Sequence, residues 1–196
     1  KCSFVIAMDV NQGPLLRAKE NIERKGLAHY ITTRLSDGAA ALEEGEADTL
    51  ICAGMGGRLT IHILEDAIKR LNTIKNLILQ PQSEIWLVRR FLLQNHYSIV
   101  KENMIYEDGK YYSIMRAEKS TAEVSAYTSK EEVYGPILIK ERHPVLFQYL
   151  KKEKEATIRN IEYLETGKKS DSIRRQERKK ELLEKLRSIE ECLDGF

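Results

Sequence analysis

Short apolar runs alternate with longer amphipathic stretches through roughly the first 120 residues of the chain. Ser3–Met8 is a continuous apolar run ending in Asp9, the pattern of a strand buried on both faces. Pro14 opens a helix that runs to about Lys25 and stops at Gly26, with proline at the start and glycine past the end. Tyr30–Leu35 is strand-like and ends in Ser36-Asp37-Gly38, followed by a short Ala-rich helical turn. Asp48–Ala53 is a further apolar strand. It runs into Gly54-Met55-Gly56-Gly57 and then into a helix to about Asn72, with Leu59, Ile63, Ala67, Ile68 and Leu71 on one stripe. Asn76–Gln80 is another strand, closed by Pro81, and Glu84–Gln94 is an amphipathic helix. Tyr97–Met104 and Tyr111–Ala117 flank Glu107-Asp108-Gly109-Lys110, a hairpin signal.

Strands alternating with helices predict an α/β fold with a mostly parallel sheet covered on both faces, and the closing hairpin adds an antiparallel edge strand. The pattern changes after Pro144. Phe147, Leu150, Thr157, Ile161 and Leu164 form one narrow apolar seam, and Leu182, Leu186, Ile189 and Leu193 form another. Thr166-Gly167-Lys168 separates the two runs, which predicts an antiparallel helical hairpin. The expected division is residues 1–119 as the α/β domain, 120–143 as linker and junction, with Ser120–Ser129 polar and aperiodic, and 144–196 as a helical coiled-coil domain.

At 196 residues the chain is long enough for one domain with a core and an appendage. The net charge is only +2, but its distribution is uneven. From Lys140 onwards there are 15 basic and 12 acidic residues, and within Lys168–Lys180 seven basic and two acidic. Cys2, Cys52 and Cys192 form no pairing pattern, which fits a reducing compartment. His29, His62, His96 and His143 lack metal spacing, and no apolar run is long enough to read as a membrane span or a signal peptide. A cytoplasmic protein without a metal or a membrane partner is therefore expected.

Three features fall at the carboxyl ends of successive strands: Asp9, Asp37-Gly38 and Ala53–Gly57. In a doubly wound sheet these ends share one rim, where ligands bind. An acid at the first can accept the hydroxyls of a ribose, and an acid at the second an exocyclic amine or ring N–H. Each acid alone is equally an N-cap, and the glycines alone equally a tight βα turn. A dinucleotide-dependent dehydrogenase is disfavoured, because no GxGxxG follows a first strand and precedes an acid-ended one.

Four segments carry a specific resemblance: Ala7–Pro14 (AMDVNQGP), Leu35–Gly38 (LSDG), Ile51–Arg58 (ICAGMGGR) and Leu77–Gln82 (LILQPQ). In order and spacing they resemble the TrmK family, bacterial tRNA adenine-N1 methyltransferases that modify adenine 22 with S-adenosyl-L-methionine. The resemblance runs to about Ala117, and the helical hairpin is similar to that family's C-terminal coiled-coil domain. It implies a Rossmann-like class I methyltransferase sheet. It implies that Asp9 and Val10 hold the cofactor ribose, Asp37 and Gly38 its adenine end, and Ala53, Gly54 and Met55 the methyl-transfer side. Gly54, Met55 and Gly56 are expected to act by backbone positioning, with carbonyls near Ala53–Gly56 holding the target amine and no general base. Gly57, Arg58, Gln80, Pro81 and Gln82 are expected to face the substrate, with a structural strand-end role equally open for Gln80 and Gln82. Lys168, Lys169, Arg174, Arg175, Arg178, Lys179 and Lys180 are expected to grip tRNA, a solvated helix face being the alternative for this cluster. A non-catalytic tRNA- or protein-binding module on the same sheet is the competing expectation, and a small-molecule methyltransferase leaves the basic tail unexplained.

Two departures stand out. Many nucleic-acid methyltransferases carry an Asn/Asp-Pro-Pro-aromatic motif where this chain has Ala53–Gly57, so stacking on the target base must come from elsewhere or be absent. The family's other glycine loop follows a first strand that lies between the strands ending at Asp9 and Ala53, and this sequence opens on the second. The expectation is an N-terminally incomplete sequence and a sheet split at that position.

Overall fold

The computed structural model describes residues 4–70, 73–120, 126–166 and 173–196. Leu71, part of the 120–129 linker and Gly167–Ser172, with Lys168 and Lys169, lie outside the described residues. The chain order is β1 (Val5–Asp9), α1 (Gln12–Arg24), β2 (Ile31–Leu35), β3 (Thr49–Met55), α2 (Gly57–Arg70), β4 (Asn76–Pro81), α3 (Ile85–Gln94), β5 (Tyr97–Glu107) and β6 (Lys110–Lys119). Then come α4 (Ser129–Tyr134), α5 (Pro136–Lys140), α6 (Pro144–Thr166) and α7 (Ile173–Leu193).

The described strands form two sheets. β1 pairs with β2 in parallel, and the second sheet has the order β3-β4-β6-β5. β3 and β4 are parallel, whereas β6 is antiparallel to both β4 and β5. β1 and β3 do not pair, which is where the split is expected. The split explains why β1 contradicts the expected two-sided burial. With β2 as its one strand neighbour, Val5 stays exposed and Ile6 to Asp9 only half-buried, and α1 has no buried residue. Ile51 on β3 is 67% exposed for the same reason.

The antiparallel strand is not the edge strand, contrary to expectation. β6 folds back between β4 and β5 and leaves β5 outermost. Asp108 and Gly109 carry φ of 48° and 79°, and two left-handed residues in succession make the tight hairpin that returns β6 to this place. Ser113, Met115 and Ala117 are buried there, as an inner strand requires.

Leu64, Leu77, Leu79, Val88 and Leu92 are completely buried in the core between β4, α2 and α3. Each contributes about 1.5–3 kcal/mol relative to exposure. The buried stripe of α2 is Thr60, Ile63, Leu64 and Ala67, and Leu59 falls off it, 49% exposed at the rim. A second cluster joins Met104 of β5 to Tyr134, Leu138, Leu146, Leu150, Ile189 and Cys192. Helices α6 and α7 run antiparallel. The ion pairs Lys154–Glu190, Lys185–Glu153 and Lys179–Glu165 descend one helix as they climb the other.

Candidate active site

The carboxyl ends of β1, β2, β3 and β4 bring Asp9, Asp37-Gly38, Ala53–Gly57 and Pro81–Glu84 to the rim at which the sequence places a site. One oxygen of Asp9 accepts the N–H of Asn11 at 2.8 Å, which orients the carboxylate where the chain turns into α1. Val10 beside it is 60% exposed. Asp37 is exposed, on a loop that its neighbours hold. The buried Ser36 hydroxyl donates to the Gly38 carbonyl at 2.9 Å and accepts the Ala41 N–H at 3.0 Å. Arg34 braces the same loop by donating to the Ala41 carbonyl and, with two N–H groups, to Glu46 at 2.6 and 2.7 Å. The Arg34 guanidinium pulls the Glu46 carboxyl down to about 2. Gly38 has φ 54°, and a Cβ there would stand 2.9 Å from Cγ1 of Ile63.

The glycines of the next loop serve different ends. Gly54 is a bulge: the β3–β4 register passes from Ala53 to Met55 without it, and its φ is 80°. Its N–H donates to the side-chain oxygen of Gln80 at 2.8 Å, and the space around its Cα is open, since a Cβ there would meet only Nε2 of Gln82, at 3.9 Å. Gly57 is buried against the neighbouring rim loop: its N–H donates to the Ser83 carbonyl at 3.0 Å, and a Cβ would lie 2.5 Å from that oxygen. Gly56 meets only the Ser83 hydroxyl, at 3.2 Å.

This geometry corrects one expectation. The Met55 carbonyl accepts the Gln82 N–H at 2.8 Å, and the Gly56 carbonyl accepts from the N–H and the hydroxyl of Thr60 as α2 begins. The Gly56 carbonyl has both lone pairs engaged in holding the loop and is lost as an acceptor, whereas the Met55 carbonyl keeps its second one. Beneath the loop Cys52 is buried, and burial pushes its thiol up, which disfavours the thiolate. On the facing loop Glu84 adopts φ 47° and pairs with Arg58 at 2.8 Å; Arg58 is 77% exposed. Pro81 is buried opposite Met55, while Gln82 is exposed. Among the described residues, no cluster of His, Cys, Asp or Glu is arranged to hold a metal ion.

The basic tail is less free than its composition suggests. Arg175 caps the end of α6 by donating to the carbonyls of Leu164 and Tyr163. Arg178 pairs with Glu181, Lys179 with Glu165 and Lys180 with Glu184. Arg174 has no such partner among the described residues.

The sequence matches the family described as tRNA (adenine(22)-N(1))-methyltransferase, TrmK, over residues 1–191. The chain belongs to this family. It is 33% identical to the tRNA (adenine(22)-N(1))-methyltransferase of Bacillus subtilis (strain 168) over 99% of its own length and 82% of the relative's. The crystal structure of the B. subtilis m1A22 tRNA methyltransferase TrmK superposes with a TM-score of 0.84 at 31% identity, covering 97% of this chain and 82% of that one. The Streptococcus pneumoniae protein Sp1610, solved with S-adenosyl-L-methionine, superposes with a TM-score of 0.82 at 33% identity, covering 97% and 81%. The Rossmann-like methyltransferase fold expected from the sequence is thus shown.

The family's cofactor can be tested against the residues on the rim. S-adenosyl-L-methionine carries ribose hydroxyls and adenine N–H groups, which need acceptors. The Asp9 oxygen not used by Asn11 and the exposed Asp37 carboxylate are acceptors of the kind required, and Val10 is an exposed apolar side chain next to Asp9. The residues present fit. Sequence reasoning assigned no role to Ser36 or Ser83, which hold the rim loops through contacts that no sequence pattern reports.

Proposed function

We propose that this chain transfers the methyl group of S-adenosyl-L-methionine to N1 of adenine 22 in tRNA, and that it acts in the cytoplasm. The single observation that carries the reading is membership of the tRNA (adenine(22)-N(1))-methyltransferase family along residues 1–191. The rim acids and the open Gly54 bulge support it. A non-catalytic binding module finds no support, since the B. subtilis relative is named as the enzyme. Among the described residues, no helix is long and apolar enough to cross a membrane.

When bound, S-adenosyl-L-methionine supplies an electrophilic sulfonium methyl. Asp9 would hold the ribose and Asp37 with Gly38 the adenine end. Adenine N1 has an in-plane lone pair, so the chain has no proton to remove before attack, and its work is positioning and electrostatics. The carbonyls of Ala53 and Gly54 would orient the target's exocyclic amine and stabilise the positive charge that spreads into the ring. Residues 1–119 form the cofactor-binding unit of this proposal, 120–143 the junction and 144–196 the tRNA-gripping helices. Arg174 leads that grip, together with Lys168 and Lys169. It stands in an open groove of about 520 Å³ lined also by Arg175, Arg178, Glu177 and Glu181. The paired cations would exchange carboxylates for phosphates.

Incubating the full-length protein with unmodified tRNA and methyl-labelled S-adenosyl-L-methionine, then digesting to nucleosides, is expected to yield labelled 1-methyladenosine. A tRNA with guanine at position 22 is expected to yield none. Label in a different nucleoside, or no label, overturns the reading.

A further inference from the structure

The glycine loop carries no aromatic residue, but the rim loop bound to it leads directly to one. Trp86, the only tryptophan in the sequence, lies in the first turn of α3, three residues beyond Ser83, whose carbonyl accepts the Gly57 N–H at 3.0 Å. The indole is not a core residue. The buried side of α3 is Val88, Arg89, Phe91 and Leu92, whereas Trp86 is 37% exposed and shares the outer stripe with Arg90. The Arg90 guanidinium lies over the indole with its carbon 4.9 Å from the ring centroid. Glu132 of α4 fixes it there through bonds of 3.0 and 2.6 Å. One side of the ring is thus backed by a braced cation, an arrangement that restrains the ring before any ligand arrives. Arg58, 77% exposed, stands on the same rim, joined to Glu84 two residues before the indole.

We propose that Trp86 is a stacking platform for a nucleobase of the tRNA substrate that adjoins the target adenine, with Arg58 placed for the flanking phosphate. The proposal rests on the tRNA methyltransferase reading. Exposing N1 of a base inside a folded RNA unstacks it from its neighbour, at a cost of a few kcal/mol. An aromatic face beside the reaction site restores stacking to that neighbour, and every base offers a π-face to it. This supplies the aromatic contact that the Ala53–Gly57 loop lacks.

Because residues 1–196 hold one tryptophan, the indole emission of a protein of this sequence reports on this residue alone. Titrating unmodified tRNA into the full chain in the presence of S-adenosylhomocysteine is expected to quench Trp86 emission saturably. Trp86→Ala is expected to lower kcat/KM for tRNA about tenfold, through KM, with cofactor affinity unchanged and the chain still folded. Trp86→Phe, which keeps an aromatic face, is expected to recover most of that loss. Raising salt is expected to weaken the effect of Arg58→Gln more than that of Trp86→Ala, since stacking is not screened. An unquenched indole in the tRNA complex, or a folded Trp86→Ala variant with wild-type kcat/KM, overturns the proposal. A wild-type chain that forms no 1-methyladenosine fails the methyltransferase reading instead, so the two failures are distinguishable.

Discussion

The side-chain oxygen of Gln80 accepts the Gly54 N–H at 2.8 Å, across the β3–β4 pair and at the point where their register slips. A bulge removes a residue from the ladder, and its free N–H needs another partner. Gln80 provides that partner, so the left-handed Gly54 is held by a side chain 26 residues away rather than by its own strand. The cost is visible on the same side chain: Nε2 of Gln80 is buried with no partner among the described residues.

Gln80→Met separates the two halves of that arrangement. It keeps the length of the side chain, removes the acceptor and also removes the unpaired donor. The opposing changes leave global stability within about 1 kcal/mol of wild type, while a loosened Gly54 lowers kcat by about 10–100-fold. Chemical denaturation beside single-turnover methylation checks both. Unchanged single-turnover rates would sink the positioning role.

The three loop glycines are expected to respond to alanine in a definite order. A Cβ at Gly57 would sit 2.5 Å from the Ser83 carbonyl and 2.8 Å from that of Glu84, both backbone atoms. Gly57→Ala therefore destabilises by about 1–3 kcal/mol. Gly54→Ala has room but keeps a left-handed φ, at about 1–2 kcal/mol. Gly56→Ala touches only a hydroxyl that can rotate, and it costs least. Urea midpoints rank them, and finding Gly56→Ala the worst would refute the loop-packing account.

The Asp37 loop carries a pH dependence through Glu46. Arg34 holds the Glu46 carboxyl at about 2, below its ordinary 4.5, so the ion pair stabilises the folded state fully above about pH 4.5. That contribution fades as pH falls through about 2, where Glu46 is protonated in folded and unfolded chains alike. Glu46→Gln should melt below wild type by a constant margin above pH 5, and the two curves should converge as pH approaches 2. A margin that survives at pH 2 would mean that the carboxylate charge is not what braces the loop.

Local grammar made much of the fold legible. The period change from strand to helix, the proline and glycine around α1 and Asp108-Gly109 at the hairpin act within a few residues and survive folding unchanged. The rim residues Asp9, Asp37 and Gly54 were legible for the same reason, since strand ends are local events. What escaped depends on which distant residues meet. The alternation of Lys110–Lys119 does not say whether β6 ends inside the sheet or at its edge, and the apolar run of β1 predicts a burial that only a second strand neighbour can supply. Arg175 counts as tail charge in the sequence, yet it caps α6. Nothing in the pattern of Glu84–Gln94 singles out Arg89, and it is 1% exposed.

That arginine gives the sharpest stability prediction. Arg89 donates from Nε to Glu102 at 2.9 Å and from Nη1 to the carbonyls of Glu132 and Val133 at 2.8 and 2.9 Å. Glu102, itself fully buried, also accepts the N–H groups of Ile137 and Leu138. The pair therefore ties α3 and β5 of the sheet to α4 and α5, and through them to the α6–α7 hairpin. Gly135 at the crossing has φ 99°, and a Cβ there would stand 2.6 Å from the Glu102 carboxylate. Arg89→Met leaves a buried carboxylate without its cation and is expected to destabilise by about 3–5 kcal/mol. Adding Glu102→Gln removes the orphaned charge and should restore part of the loss, giving a coupling of about 1–3 kcal/mol in the double-mutant cycle. Additive losses by urea denaturation would show that the two side chains act independently, and that the junction is held by the apolar cluster around Leu138 and Leu146 alone.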